Sequence, residues 1–81
     1  MILKNNTSAT IYESFCIIHP GENHEILDSG EFNIINVRSD KGDCTIIKNY
    51  NVLEIQNHGK LVATREENKN GMMVVAITEA W

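Results

Sequence analysis

The chain has 81 residues, a formal net charge of −4, two cysteines and one proline. That length makes one domain, residues 1–81, burying only about 60–65% of its unfolded surface. With 42% apolar residues the chain is globular rather than disordered, and two cysteines are too few for a disulfide scaffold. There is no charged n-region followed by a long apolar run at the start, so no signal peptide is read and a cytoplasmic location is expected. A secreted chain with its leader removed is the alternative.

The charge is unevenly spread. Between Lys4 and Arg38 there is no Lys or Arg, while Glu13, Glu22, Glu25, Asp28 and Glu31 fall in that interval. From Arg38 onward six basic residues balance six acids. The absence of a basic face argues against direct nucleic-acid binding. The five acids are a candidate patch for docking a basic protein, beside the plainer reading of a solvated surface.

In chain order, Met1 to Lys4 reads as a short edge strand and Asn5-Asn6-Thr7-Ser8 as a polar turn. Ala9 to Ile18 is rich in β-branched and aromatic residues and reads as a strand. A helix over 9–18, with Ile11, Phe15 and Ile18 as its stripe and Pro20 as its stop, is the alternative and would make the fold α+β. His19 to Asn23 is a turn around Pro20-Gly21, and His24 to Asp28 a short strand. Asp28 to Glu31 is a second turn.

Phe32 to Arg38 alternates, with Phe32, Ile34 and Asn36 on one face and Ile35 and Val37 on the other. Ser39 to Asp43 is a hairpin loop and Cys44 to Lys48 its return strand. After Asn49-Tyr50-Asn51, Val52 to Gln56 puts Leu53 and Ile55 inward, and Asn57 to Lys60 reads as a hairpin turn. Leu61 to Arg65 returns, Glu66 to Gly71 is a polar hairpin loop, and Met72 to Ile77 is the longest apolar run. That run is too short for a membrane span, which needs about 20 residues. Its faces, Met72/Val74/Ala76 and Met73/Val75/Ile77, are both apolar, so it is a central strand or lies at a subunit contact. Trp81 continues the second face.

The expectation is an all-β domain of seven to eight short strands, an antiparallel meander folded as a β-sandwich or partly open barrel. No connection is long enough for a parallel crossover helix. The surplus of strands apolar on both faces points to a second copy of the chain, a homo-oligomer and most simply a dimer, with Met73, Val75 and Ile77 in the core or at the contact.

No constellation carries chemistry. His19, Glu22, His24 and Glu25 surround Pro20-Gly21 and resemble the start of a cupin strand pair, where His and Glu on adjacent strands hold a metal. The chain departs from that pattern: the histidines lack the His-x-His spacing and no later strand supplies the further His. No metal, cofactor or catalytic residue is expected. Cys16 and Cys44 read as buried reduced thiols, a single bridge being the alternative.

Two functions remain. The first is a non-enzymatic interaction module, a small acidic oligomeric β protein that binds or inhibits another macromolecule. In size and charge it resembles the small acidic inhibitors encoded by phages and mobile elements. The second is a small-ligand binder with a pocket between sheets or subunits, using His19, His24, Tyr50, His58 and Trp81. A secreted lectin-like or toxin-like sandwich is a third and lesser reading.

Overall fold

The computed structural model describes residues 1–14, 16–26 and 31–80. It is all-β, with nine strands and no helix among those residues. The strands are β1 (Ile2–Asn5), β2 (Ile11–Glu13), β3 (Cys16–Ile18), β4 (Asn23–Glu25), β5 (Phe32–Ser39), β6 (Gly42–Asn49), β7 (Val52–Gly59), β8 (Leu61–Lys69) and β9 (Met72–Glu79). They form two sheets, β4-β1-β9-β8 and β3-β2-β5-β6-β7. The sheets pack as a sandwich, or partly open barrel, around one core.

The core follows from strand parity. Leu3, Leu61, Ala63, Met73, Val75 and Ile77 turn inward from the four-stranded sheet. Ile11, Ile18, Ile35, Val37, Cys44 and Ile46 meet them from the five-stranded one. Successive residues of a strand face opposite ways, so the alternation at Phe32 to Arg38 carries directly into burial.

Several elements differ from the sequence expectation, each for a physical reason. The first segment is not an edge: β1 lies between β4 and β9 and runs parallel to β9, Leu3 opposite Val75 and Asn5 opposite Ile77. The two ends of the chain supply this pair, so the crossover is the whole intervening chain rather than a helix. Segment 9–18 is neither one strand nor a helix. It folds into the β2–β3 hairpin, pairing Ile11 with Ile18 and Tyr12 with Ile17. The reversal puts Ile11 and Ile18 together in the core and leaves Tyr12 and Ile17 outside, a parity that one continuous strand cannot give. Phe15, the turn over 28–30 and Trp81 lie outside the described residues.

The Asn57 to Lys60 segment is not a hairpin turn. β7 runs on to Gly59, and the chain then crosses at Lys60 into the other sheet. The loop before β9 is shorter than expected: β8 reaches Lys69, absorbing one extra residue as an irregularity between Glu66 and Lys69. The turn itself is Asn70-Gly71, with φ 54° and 79°. Positive φ at both positions suits the Asn-Gly pair of a two-residue hairpin.

Asn5 and Thr7 are not turn residues in solvent but are buried where the two sheets meet. Asn5 Nδ2 donates to the carbonyls of Ala9 (2.9 Å) and Ile18 (2.8 Å). Its Oδ1 accepts from the Thr7 backbone N–H (3.0 Å) and hydroxyl (2.7 Å). Its backbone bonds Gly21 and Glu22. One side chain thus fastens the end of β1, the 6–10 crossover and the end of β3.

Candidate functional site

Of the residues singled out for ligand binding, the four described ones, His19, His24, Tyr50 and His58, do not converge. Glu22 does gather the first two histidines: its Oε1 accepts the His19 backbone N–H at 2.8 Å and lies 3.7 Å from His24 Nε2. Thr10 Oγ1 is 3.3 Å from His19 Nδ1. This arrangement tightens the Pro20-Gly21 turn in solvent, with His19 and Glu22 exposed. Among the described residues no group of three or more His, Cys, Asp or Glu could hold a metal. His58 stands on β7, at the opposite edge of the five-stranded sheet from β3. Four strand spacings of about 4.8 Å separate those edges. Tyr50, in the turn before β7, is at the other end of that strand from His58.

The acidic residues do not share one face either. Glu25 is in the four-stranded sheet opposite Ile2, Glu22 is in the turn, and Glu31 precedes β5. Glu13 ends β2 half-buried, opposite Cys16. Asp28 lies outside the described residues. The hairpin and the division into two sheets scatter what sequence order had grouped.

Both thiols are shifted away from the thiolate. Both cysteines are free. Burial, then the charge of Glu13 and a 3.7 Å contact to its carboxylate, push the Cys16 thiol up. Burial, then Asp43, pushes Cys44 up to about 11. A reactive cysteine needs the opposite shift.

A cleft on the four-stranded sheet's outer face, about 370 Å³, includes Ile2, Lys4, Glu66, Lys69 and Val74 in its walls. It holds none of the expected ligand residues and is spanned by the Lys4–Glu66 ion pair at 2.9 Å. Beneath lie Val74 and Ala76, only 4% and 3% exposed although they point away from the core. Ile2 sits beside Val74 and Lys4 beside Ala76, so the chain itself covers the outer face of its central strand. Met73, Val75 and Ile77 are core residues.

The outer face of the five-stranded sheet is different. Register sets Phe32 beside Asn49 and Asn49 beside Val52, and sets Ile34 beside Ile47 and Ile47 beside Glu54. Phe32, Ile34 and Val52 are 55%, 57% and 67% exposed. Tyr50, also exposed, adjoins them because its N–H bonds the Glu31 carbonyl at 2.7 Å. Tyr12 and Ile17 form a second exposed pair on the same face. Glu31 and Glu54 stand at the margin of the larger cluster. Sequence reasoning had the alternation at Phe32 and Ile34 but no signal for which face would be covered; the exposed side could be named only once β5 was seen at the centre of an uncapped sheet. Comparison with protein-family models, with curated proteins and with solved structures finds no match for this chain.

Proposed function

We propose that the chain is a non-enzymatic binding module that engages another protein through the outer face of its five-stranded sheet. The observation that carries this reading is the exposure, on one sheet face, of Phe32 and Ile34 on β5 and of Val52 on β7, with only the short Asn49 of β6 between Phe32 and Val52. Clustered apolar side chains on a small domain mark interaction surfaces, whereas scattered ones do not. Fully covering a Phe, Ile or Val side chain is worth about 1.5–3 kcal/mol each, enough for this cluster to anchor a complex. Glu31 and Glu54 at the margin suit a partner whose apolar contact is flanked by Lys or Arg. Occlusion of such a partner's working surface is the way a module without chemistry of its own acts as an inhibitor. Both thiols are raised, the direction opposite to that of a catalytic cysteine.

The test is site-specific photo-crosslinking in the source cell. A photoreactive residue at position 34 is expected to trap a discrete protein partner, and the same residue at Glu25 on the other sheet is not. Equal crosslinking at both positions, or none at position 34, overturns the assignment.

A further inference from the structure

Among the described residues the two sheets have four outer strands, β3, β4, β7 and β8. Three of them are blunted against pairing. β3 and β4 have three residues each. β8 is broken by its irregularity and carries Arg65, Glu66, Glu67 and Lys69. Short, bulged and charged edges are how β proteins avoid joining edge to edge.

β7 is neither short nor bulged, and its one acidic or basic residue besides His58 is Glu54. It is eight residues long, in unbroken register with β6, and contains no Pro, no Lys and no bulge. Its turn, Tyr50-Asn51, is two residues long, which makes Asn49 and Val52 a hydrogen-bonded pair. Alternation then directs the backbone groups of Val52, Glu54, Gln56 and His58 to β6. Those of Leu53, Ile55, Asn57 and Gly59 face away from it. The Arg65 guanidinium caps the next carbonyl on this side, Asn51, at 2.8 Å, and the Asn57 side chain accepts the Ala63 N–H at 3.1 Å. β8 itself leaves for the other sheet and does not continue the ladder.

We propose that two copies of this chain join β7 to β7, antiparallel, about a two-fold axis at Gln56, so that two five-stranded sheets become one continuous sheet. Three features select this partner and this register. An axis perpendicular to the sheet keeps outward residues opposite outward residues, so paired residue numbers sum to an even value. The outward-facing backbone groups then pair Ile55 with Asn57 and Leu53 with Gly59 of the second copy. Of the two even registers that keep the strand most fully paired, the one centred on Gln56 sets Glu54 opposite His58, twice by symmetry. The one centred on Ile55 sets Glu54 opposite Gln56 and Val52 opposite His58. A carboxylate opposite an imidazole N–H is the favourable cross-strand pair. Glu54 and His58 are both exposed and available for it.

This assembly stands apart from the binding reading above and does not rest on it. It adds a consequence: both apolar clusters face the same side of the joined sheet, making the module bivalent.

The experiment is native mass spectrometry with light scattering over a dilution series, on wild type, Glu54→Lys, His58→Glu and an equimolar mixture of the two variants. Glu54→Lys sets an ammonium opposite each imidazole, and His58→Glu sets two carboxylates opposite one another. Each variant alone is expected to weaken the dimer about ten-fold or more. In the mixture a heterodimer faces the new lysine with the new glutamate at one site and keeps the original Glu54–His58 pair at the other, so the dimer is expected to return. A wild type that stays monomeric throughout overturns the proposal. So does a dimer indifferent to both variants, or one that the mixture fails to restore.

Discussion

Replacing Asn5 with alanine tests the joint between the two sheets. The side chain is fully buried and makes four hydrogen bonds. Ala9 keeps a donor after the change, because the Thr7 hydroxyl also bonds its carbonyl at 2.9 Å. The Ile18 carbonyl keeps its ladder partner Ile11, but the Thr7 N–H loses the side-chain acceptor that binds it in buried surroundings. A buried polar group left unsatisfied costs about 1–3 kcal/mol. A chain of this length has roughly 4–12 kcal/mol of stability in all. Asn5→Ala is therefore expected to lower the urea midpoint by about 1–3 M, taking a slope near 1 kcal/mol/M, with that slope unchanged. Circular dichroism reads it. A loss below about 0.5 kcal/mol would refute the reasoning.

Asn5→Asp sharpens the test. The carboxylate keeps an acceptor for Thr7 but sets negative charge against the Ala9 and Ile18 carbonyls. Burial and those carbonyls raise its folded-state pKa above the unfolded value, so the variant is expected to be weak at neutral pH and to regain stability as pH falls through that raised pKa. Gain on acidification is what a purely steric defect would not give.

Two further outcomes are expected. Gly42 has φ 140°, and an added Cβ would collide with the His58 carbonyl oxygen across the β6–β7 pair, so Gly42→Ala should cost about 3 kcal/mol or more in the same urea assay. A change under about 1 kcal/mol would mean that the pinch between β6 and β7 relaxes freely. Iodoacetamide at mildly alkaline pH should modify half-buried Cys16 well before Cys44, read by peptide mass spectrometry. Because the folded chain holds Cys44 protonated to about 11 against an ordinary 9.0, its contribution to stability is complete below that ordinary value and declines as pH rises through about 11. Equal labelling of the two thiols would contradict the burial of Cys44.

The readable parts of this fold were those with a local cause. Alternation at Phe32 to Val37 and at Val52 to Gln56 fixes which residues turn inward, and Asn70-Gly71 names its own turn. What the sequence hid was non-local. Nothing in Ile2-Leu3-Lys4-Asn5 says that it pairs with residues more than 70 positions later. Nothing in Tyr12 or Ile17 says that a hairpin closes between them. Asn5 reads as a turn residue because Asn usually is one; its burial depends on where three separate segments meet. The candidate surface was half legible for the same reason. Phe32 and Ile34 were placed on one face, but sheet order decides that this face stays open.

The inference from two-faced strands to assembly has to move accordingly. The run from Met72 to Ile77 is one of several strands apolar on both faces, and its outer side by itself would call for a second chain. That side needs none: Ile2, the stems of Lys4 and Glu66 and their ion pair lie over Val74 and Ala76. The pair is partly in solvent and its charges contribute less than about 1 kcal/mol. The aliphatic stems do the covering. Apolar surplus persists where no long polar side chain bridges the strand, at Phe32, Ile34 and Val52, where the cross-strand neighbour of Phe32 and Val52 is the short Asn49. A lysine or glutamate at position 49 would shield this cluster as Lys4 and Glu66 shield Val74. Asn49→Lys is accordingly expected to leave the fold intact and to reduce crosslinking at position 34, which separates a face kept open for a partner from one that is merely apolar.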